Sequence, residues 1–186
     1  MARKKKISSW KQKKAFDVVA PESFNNQFLG QSVAAEAKNL LGRTITVSAK
    51  DLTEDRTKQQ FNITFEITDV EGDTAKTKFK RFEVASGYMR SKVRKRMSKV
   101  DYRSDITVGE DKARVKIMIS AGRRVSKEQK KQLSEKIRGI LDSHKNSKAE
   151  DVVQMVVFGK LGTEIFHGVK NIAQIHRVEV QEIRVI

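Results

Sequence analysis

Phe61, Ile63, Phe65 and Ile67 alternate without a break with Asn62, Thr64, Glu66 and Thr68. Side chains of an extended chain point to opposite faces at a period of two, so this octet predicts a strand with one buried face and one wet face. A helix would scatter the four apolar groups around its circumference. The Glu71-Gly72-Asp73 triplet supplies a turn, and Ala75 to Val84 reads as the returning strand. Ile45 and Val47 alternate with Thr44 and Thr46 in an earlier strand. A second hairpin places Val100, Tyr102, Ile106 and Val108 in one phase, turns at Gly109-Glu110-Asp111, and returns through Val115, Ile117 and Ile119.

Helical spacing takes over in other stretches. Met89, Val93, Met97 and Val100 recur every three to four residues and predict a helix over Ser86 to Ser98. Ser126 and Gln129 have capping-box spacing ahead of Leu133, Ile137, Ile140 and Leu141, and Ser147 with Glu150 repeat the device before Val152, Val153, Val156 and Val157. Gly159 and Gly162 should break that helix, leaving a short one from Thr163 to Ile172. In the last segment Val178 and Val180 share one phase, while Ile183 and Val185 share the other, which predicts a bulge near Gln181. Strands, then helices, then a strand suggest an α+β fold with an antiparallel, barrel-like sheet and flanking helices. We read residues 1–14 as a basic arm, disordered when free, and 15–186 as one α+β domain. Within it, 15–124 is mainly strands with one basic helix, and 125–186 is helices followed by a final strand.

Charge narrows the function. The 186 residues hold 39 Lys plus Arg against 23 Asp plus Glu, a formal +16. Such self-repulsion is tolerated most easily where a polyanion neutralises it. Its placement says more. Residues 1–14 carry seven cations (Arg3, Lys4, Lys5, Lys6, Lys11, Lys13, Lys14) and no acid, whereas 15–75 sum to −5 and 76–103 to +9. Trp10, the arm's one large apolar group, has two roles open to it: stacking on a base, or anchoring the arm to the body, which we prefer. Lys76, Lys78 and Lys80 share one strand face. That stripe could track phosphates or could protect a sheet edge from unwanted pairing. Arg90, Lys92, Arg94, Lys95 and Arg96 have no acid three or four residues away, so phosphate contact is the better reading of the basic helix. Arg123 and Arg124 open the connection to the next helix and join the candidate set.

Catalytic and metal chemistry find little support. There is no Cys, which removes zinc fingers, thiol catalysis and disulfide scaffolds. His144, His167 and His176 are isolated, and Phe158 to Thr163 only faintly resembles a phosphate loop because the GxxxxGK[ST] spacing is missing. Asp101 and Asp105 could share one strand face but lack a supporting acid cluster. We therefore expect no enzyme and no cofactor. The longest apolar stretch, Val152 to Phe158, is too short to cross a bilayer, and the basic start leads into no apolar run, so an intracellular location is expected. A mitochondrial transit peptide would favour Arg and an amphipathic helix, where this arm is mostly Lys. These features point to an RNA-leaning polyanion binder, with DNA still open and no known small module for sequence-specific readout. A peripheral membrane protein would share the charge, but the basic helix has no Trp or Phe to embed.

A resemblance sharpens this. Asp17-Val18-Val19-Ala20-Pro21-Glu22-Ser23-Phe24-Asn25 follows a basic arm containing a Trp. Gly42-Arg43-Thr44-Ile45-Thr46-Val47 leads into Asp51-Leu52, and Ile175-His176-Arg177-Val178 opens the final strand. In this order and spacing they resemble the S3Ae family of archaeal and eukaryotic small-subunit ribosomal proteins, over residues about 10 to 186. The chain is similar to the shorter archaeal members, since it ends at Ile186 rather than in the long tail of eukaryotic ones. The resemblance implies a structural constituent of the small ribosomal subunit in the cytoplasm, on the platform near the 3′ end of the small-subunit rRNA. It also implies neighbouring ribosomal proteins and mRNA near its exit channel as partners, and a barrel-like antiparallel sheet. It supplies no catalytic residues. The alternative is a free-standing RNA- or DNA-binding protein outside the ribosome.

Overall fold

The octet at 61–68 lies in a strand, and it buries the face that its alternation marks: Ile63, Phe65 and Ile67 are almost wholly shielded from solvent. The computed structural model describes residues 13–186 apart from 109, 110, 145, 146 and 148. Among the described residues there are eight strands: β1 (Lys14–Val19), β2 (Phe28–Ala34), β3 (Thr44–Ser48), β4 (Phe61–Glu71), β5 (Thr74–Val84), β6 (Ser98–Val108), β7 (Asp111–Ala121) and β8 (Ile175–Val185). The helices are α1 (Ala49–Thr53), α2 (Ser86–Lys92), α3 (Lys127–Ser143), α4 (Ala149–Val157) and α5 (Lys160–Val169).

The chain forms two compact units, and β4 and β5 are each divided between them. The first comprises residues up to 47 and 64–79. Phe16, Val18, Leu40 and Ile67 form its core with Ala34 and Ala75, and Leu29, Ile45 and Val70 pack against them. The Phe24 and Phe65 rings meet edge to face at 5.4 Å. Strand β1 runs antiparallel to β2 and parallel to β5, from Asp17 opposite Thr74 to Val19 opposite Lys76.

The second unit comprises 48–63 and 80–186. Its strands follow the order β5-β8-β7-β6, every neighbour antiparallel. Helix α3 buries Leu133, Ile137 and Leu141, while α5 buries Leu161, Ile165 and Val169 against α3, α4 and β8. Val115, Ile117 and Ile119 line one face of β7, yet Met118 and Ser120 on the other face are also buried. Both faces of its second half are therefore covered.

The expectation of a barrel-like antiparallel sheet needs two corrections. Taken through β5, the strand order is β2-β1-β5-β8-β7-β6 with β3 and β4 branching from it; it does not close, and the β1–β5 pair is parallel. The cause lies in β5. It buries Ala75, Thr77 and Phe79, then switches phase to bury Phe82 and Val84, and its two stretches pair with different strands, β1 at 74–76 and β8 at 81–83. Strands β1 and β2 were not anticipated. Lys14 already pairs with Ala34, so the boundary of the arm at residue 14 falls inside a strand.

The basic helix is also shorter than its periodicity suggests. It ends at Lys92; Val93 is extended, Arg96 sits at a left-handed φ of 71°, and β6 begins at Ser98. Val100 is buried because it belongs to that strand, and its spacing from Met97 mimics a helical stripe. Other readings hold in detail. Ser126 Oγ accepts from Gln129 N at 3.2 Å and Gln129 Oε1 accepts from Ser126 N at 3.0 Å, the expected capping box. Of the second expected box, Ser147 and Glu150 are described, and α4 begins between them at Ala149, directly after residue 148, which lies outside the described residues. Gly159 joins α4 to α5 at φ 75°. Gly162, by contrast, breaks nothing: it lies inside α5, where a Cβ would stand 3.5 Å from the Val178 carbonyl oxygen. In β8, Lys116 faces Glu182 and Ile117 faces Val180, so Gln181 is the extra residue of the expected bulge. A second irregularity makes His176 extra as well.

Candidate nucleic-acid interface

The β6–β7 ladder decides where the cations meet. Ser98 pairs with Ala121, so the chain enters β6 and leaves β7 at the same end. The 93–97 turn precedes that end and the Gly122-Arg123-Arg124 segment follows it. Ala121 also pairs with Ile175, and the Gly122 N–H donates to the Gln174 carbonyl at 3.0 Å, which brings the 170–174 connection to the same place. Buried Val125 and the Ser126 cap then turn the chain into α3.

The turn has a fixed shape. Val93 N donates to Arg90 O at 3.3 Å and Met97 N donates to Arg94 O at 3.2 Å, with Arg96 in the left-handed region. Half-buried Val93 and Met97 hold its two sides while Arg94, Lys95 and Arg96 are exposed. Arg123 and Arg124 are exposed too. Among the described residues, none of these five makes an ion pair with an acid. Arg90 is likewise exposed and without such a pair. Lys92 differs: its ammonium lies 4.4 Å from the centroid of the Tyr88 ring, a cation–π contact within the fold.

Two cations that sequence reading passed over belong to this end. Lys127 opens α3 directly after Arg123 and Arg124, and Lys170 starts the connection into β8; both are exposed. Closeness in sequence could have flagged Lys127. Nothing local could have flagged Lys170, whose position depends on the Ala121–Ile175 pairing.

The lysine stripe on β5 is a weaker candidate. Lys76 and Lys78 are exposed and Lys80 is half-buried. Lys76 Nζ lies 2.6 Å from Glu71 Oε1, and the hydrogen bond and charge of Glu71 raise its pKa. Lys78 and Lys80 also have partners. Lys76 does not guard a sheet edge, because β5 pairs with β1 there, whereas Lys78 and Lys80 fall between the stretches that pair with β1 (74–76) and β8 (81–83). Several other cations of the sheet are matched: Arg114 clasps both Asp105 oxygens at 2.7 and 3.0 Å, Lys99 pairs with Asp101, and Lys116 and Arg81 share Glu182. Of the arm, Lys13 and Lys14 are exposed, while Arg3, Lys4, Lys5, Lys6, Trp10 and Lys11 lie outside the described residues.

Among the described residues no group of three His, Cys, Asp or Glu is placed to hold a metal ion. No described helix is long and apolar enough to cross a membrane. What the end of the β6–β7 ladder can do chemically is bind anions. Five unmatched cations from two segments stand on one backbone frame, the arrangement that fixes phosphates without reading bases.

The chain is also similar to known proteins. Residues 1–186 match the family described as the Ribosomal S3Ae family. The small ribosomal subunit protein eS1 of Methanobrevibacter smithii is 30% identical over 187 residues, covering 100% of this chain and 97% of that relative. The eS1 protein of Sulfurisphaera tokodaii is 34% identical, with 95% of this chain and 93% of the relative covered. That of Archaeoglobus fulgidus is 34% identical, with 100% and 92% covered.

Proposed function

The chain belongs to the ribosomal S3Ae family, and from that premise we propose that it docks on small-subunit rRNA through the cationic end of the β6–β7 ladder. The family is one of ribosomal structural proteins, not enzymes, and its archaeal relatives are named as small-subunit components. A structural role in translation within the small subunit follows from that membership. The observation that carries the docking surface is the convergence of Arg94, Lys95, Arg96, Arg123 and Arg124, none ion-paired to an acid among the described residues, at one end of the β6–β7 hairpin. Arg90 and the arm, including Lys13, Lys14 and Trp10, extend the contact, and Lys76, Lys78 and Lys80 add long-range attraction.

In this mechanism the protein is positioned by charge neutralisation: phosphates settle on the turn and on the 122–124 segment while base identity goes largely unread. The finer location is the platform, near the 3′ end of the rRNA and the mRNA exit channel, in the cytoplasm. Exposed Phe28, Val33 and Leu41 in the first unit offer apolar contact area to neighbouring ribosomal proteins. Family membership speaks against a free-standing nucleic-acid binder.

Binding to small-subunit rRNA fragments measured between 50 and 200 mM salt tests the reading. With about six to ten phosphates neutralised, affinity should fall by roughly 10³ or more. Replacing Arg94, Lys95, Arg96, Arg123 and Arg124 by Ala should reduce the salt slope by about one per lost phosphate contact, with the melting temperature unchanged. A wild-type affinity that is flat in salt would overturn the proposal.

A further inference from the structure

The second unit holds a cavity of about 310 Å³ beside that cationic end. Phe61, Val156, Phe166 and Val178 give it apolar walls, and Glu179 with Arg177 forms a polar end. Two glycines keep it open. At Gly162 on α5 a Cβ would meet the Val178 carbonyl oxygen at an ordinary contact distance of 3.5 Å, so anything longer would reach into the space, and Gly159 leaves open space where a side chain would stand.

The polar end is organised but not used up. Arg177 Nη1 donates to the Tyr88 hydroxyl at 3.2 Å and to Glu179 Oε1 at 3.1 Å. The Tyr88 hydroxyl reaches the same carboxylate oxygen at 3.4 Å. Glu179 Oε2 has no hydrogen-bond partner among the described residues, so both of its lone pairs are left for incoming donors. Short stretches of chain connect the cavity to the cations. Lys92 sits over Tyr88 at its polar end, and α2 leads from there into Arg94–Arg96. On the other side Arg177 is the ladder partner of Ser120, which leads into Arg123 and Arg124.

We propose that this cavity receives one unstacked nucleobase, guanine foremost, from the RNA strand whose phosphates rest on Arg94–Arg96 and Arg123–Arg124. The inference rests on the RNA reading above. A flat, largely apolar group tethered to a polyanion is what aromatic walls next to unpaired cations fit, since every base has a face that stacks on an aromatic ring. The polar end then selects. Guanine has two adjacent N–H donors on its Watson–Crick edge to meet the Glu179 carboxylate, and O6 accepts from Arg177. Adenine offers an amine but no donor at N1, and uracil a single N–H.

The test uses the full chain and fluorescently labelled RNA nonamers that differ at the central position: guanine, adenine, uracil or an abasic ribose. The guanine strand should bind about tenfold more tightly than the abasic one, with adenine and uracil between them. Thr163 is an exposed residue on the cavity lining, and Thr163→Trp should fill the space and erase that contrast while preserving the salt slope. Glu179→Gln should remove the preference for guanine over adenine. Equal binding of the guanine and abasic strands by the wild-type protein, with a steep salt slope, overturns the base site and leaves the RNA surface standing. A side chain from a neighbouring protein would then be the better occupant. Weak binding of every strand, insensitive to salt, overturns both. The wild-type contrast decides the matter even if Thr163→Trp fails to fold.

Discussion

Glu179 and Glu182 lie three residues apart on β8, on either side of the bulge, and their titration is shifted in opposite directions. Burial is the largest influence on Glu179 and raises its pKa, with Arg177, the Tyr88 hydroxyl and Lys92 pulling less strongly the other way. Burial also pushes Glu182 up, but the hydrogen bond from Lys116 and the charges of Arg81, Lys116 and Arg184 together hold it below the usual carboxylate range. The signs for stability follow. A lowered folded pKa contributes stability that is present above the unfolded value, about 4.3, and is lost as pH falls through the folded value. A raised one means that stability declines as pH climbs from the unfolded value through the folded value. Glu182→Gln should therefore lower the urea midpoint at pH 7, by an amount that shrinks in acid, whereas Glu179→Gln should raise it. A loss at Glu179→Gln as large as at Glu182→Gln would show that pairing with Arg177 outweighs burial. None of this is legible in the sequence, where both residues are simply acids in the last strand.

Among the elements, α3 and α4 were readable because their determinants are local. The capping box needs only Ser126 and Gln129 three residues apart, and Ser126→Ala should cost about 1 kcal/mol in thermal unfolding. Gly139 lies within α3 with nothing within 4 Å of a would-be Cβ, so Gly139→Ala should stabilise by up to about 1 kcal/mol. Gly159→Ala should do the reverse, by about 1–2 kcal/mol, because its φ of 75° crowds any Cβ. Equal melting shifts for the two glycine variants would contradict the assignment of the α4–α5 break. The bulge at Gln181 was readable for a related reason: a change in the phase of apolar residues is a change of face. Strand β2 was not. Phe28 is 58% exposed, Gly30 has φ 145° and polar Gln31 and Ser32 follow, so no alternation marks it. Helix α2 was overextended because Met89, Val93 and Met97 suit a helical stripe, although the chain turns after Lys92 to start β6.

For the whole molecule, the arm and the core should be separable by what their removal does. Removing residues 1–12 should weaken rRNA binding and leave the melting temperature unchanged, since β1 starts at Lys14. Cutting back through Val19 should instead abolish cooperative melting, because Phe16 and Val18 are core residues, 5% and 0% exposed. If the shorter deletion destabilises the fold as well, the arm is a structural element. Read alone, the sequence yields the strands and helices whose periodicity is complete within a few residues, the polyanion partner implied by its charge, and the family. Those depend on short-range geometry and on composition, both of which are written in neighbouring residues. Tertiary structure alone decided that β1 runs parallel to β5, that the sheet stays open, and that Lys76 meets Glu71 while Arg96 and Arg123 stand unmatched at one end of a ladder. Pairings between distant segments fix those outcomes. Such a pairing is selected by the packing of all its neighbours together, which no window of sequence contains.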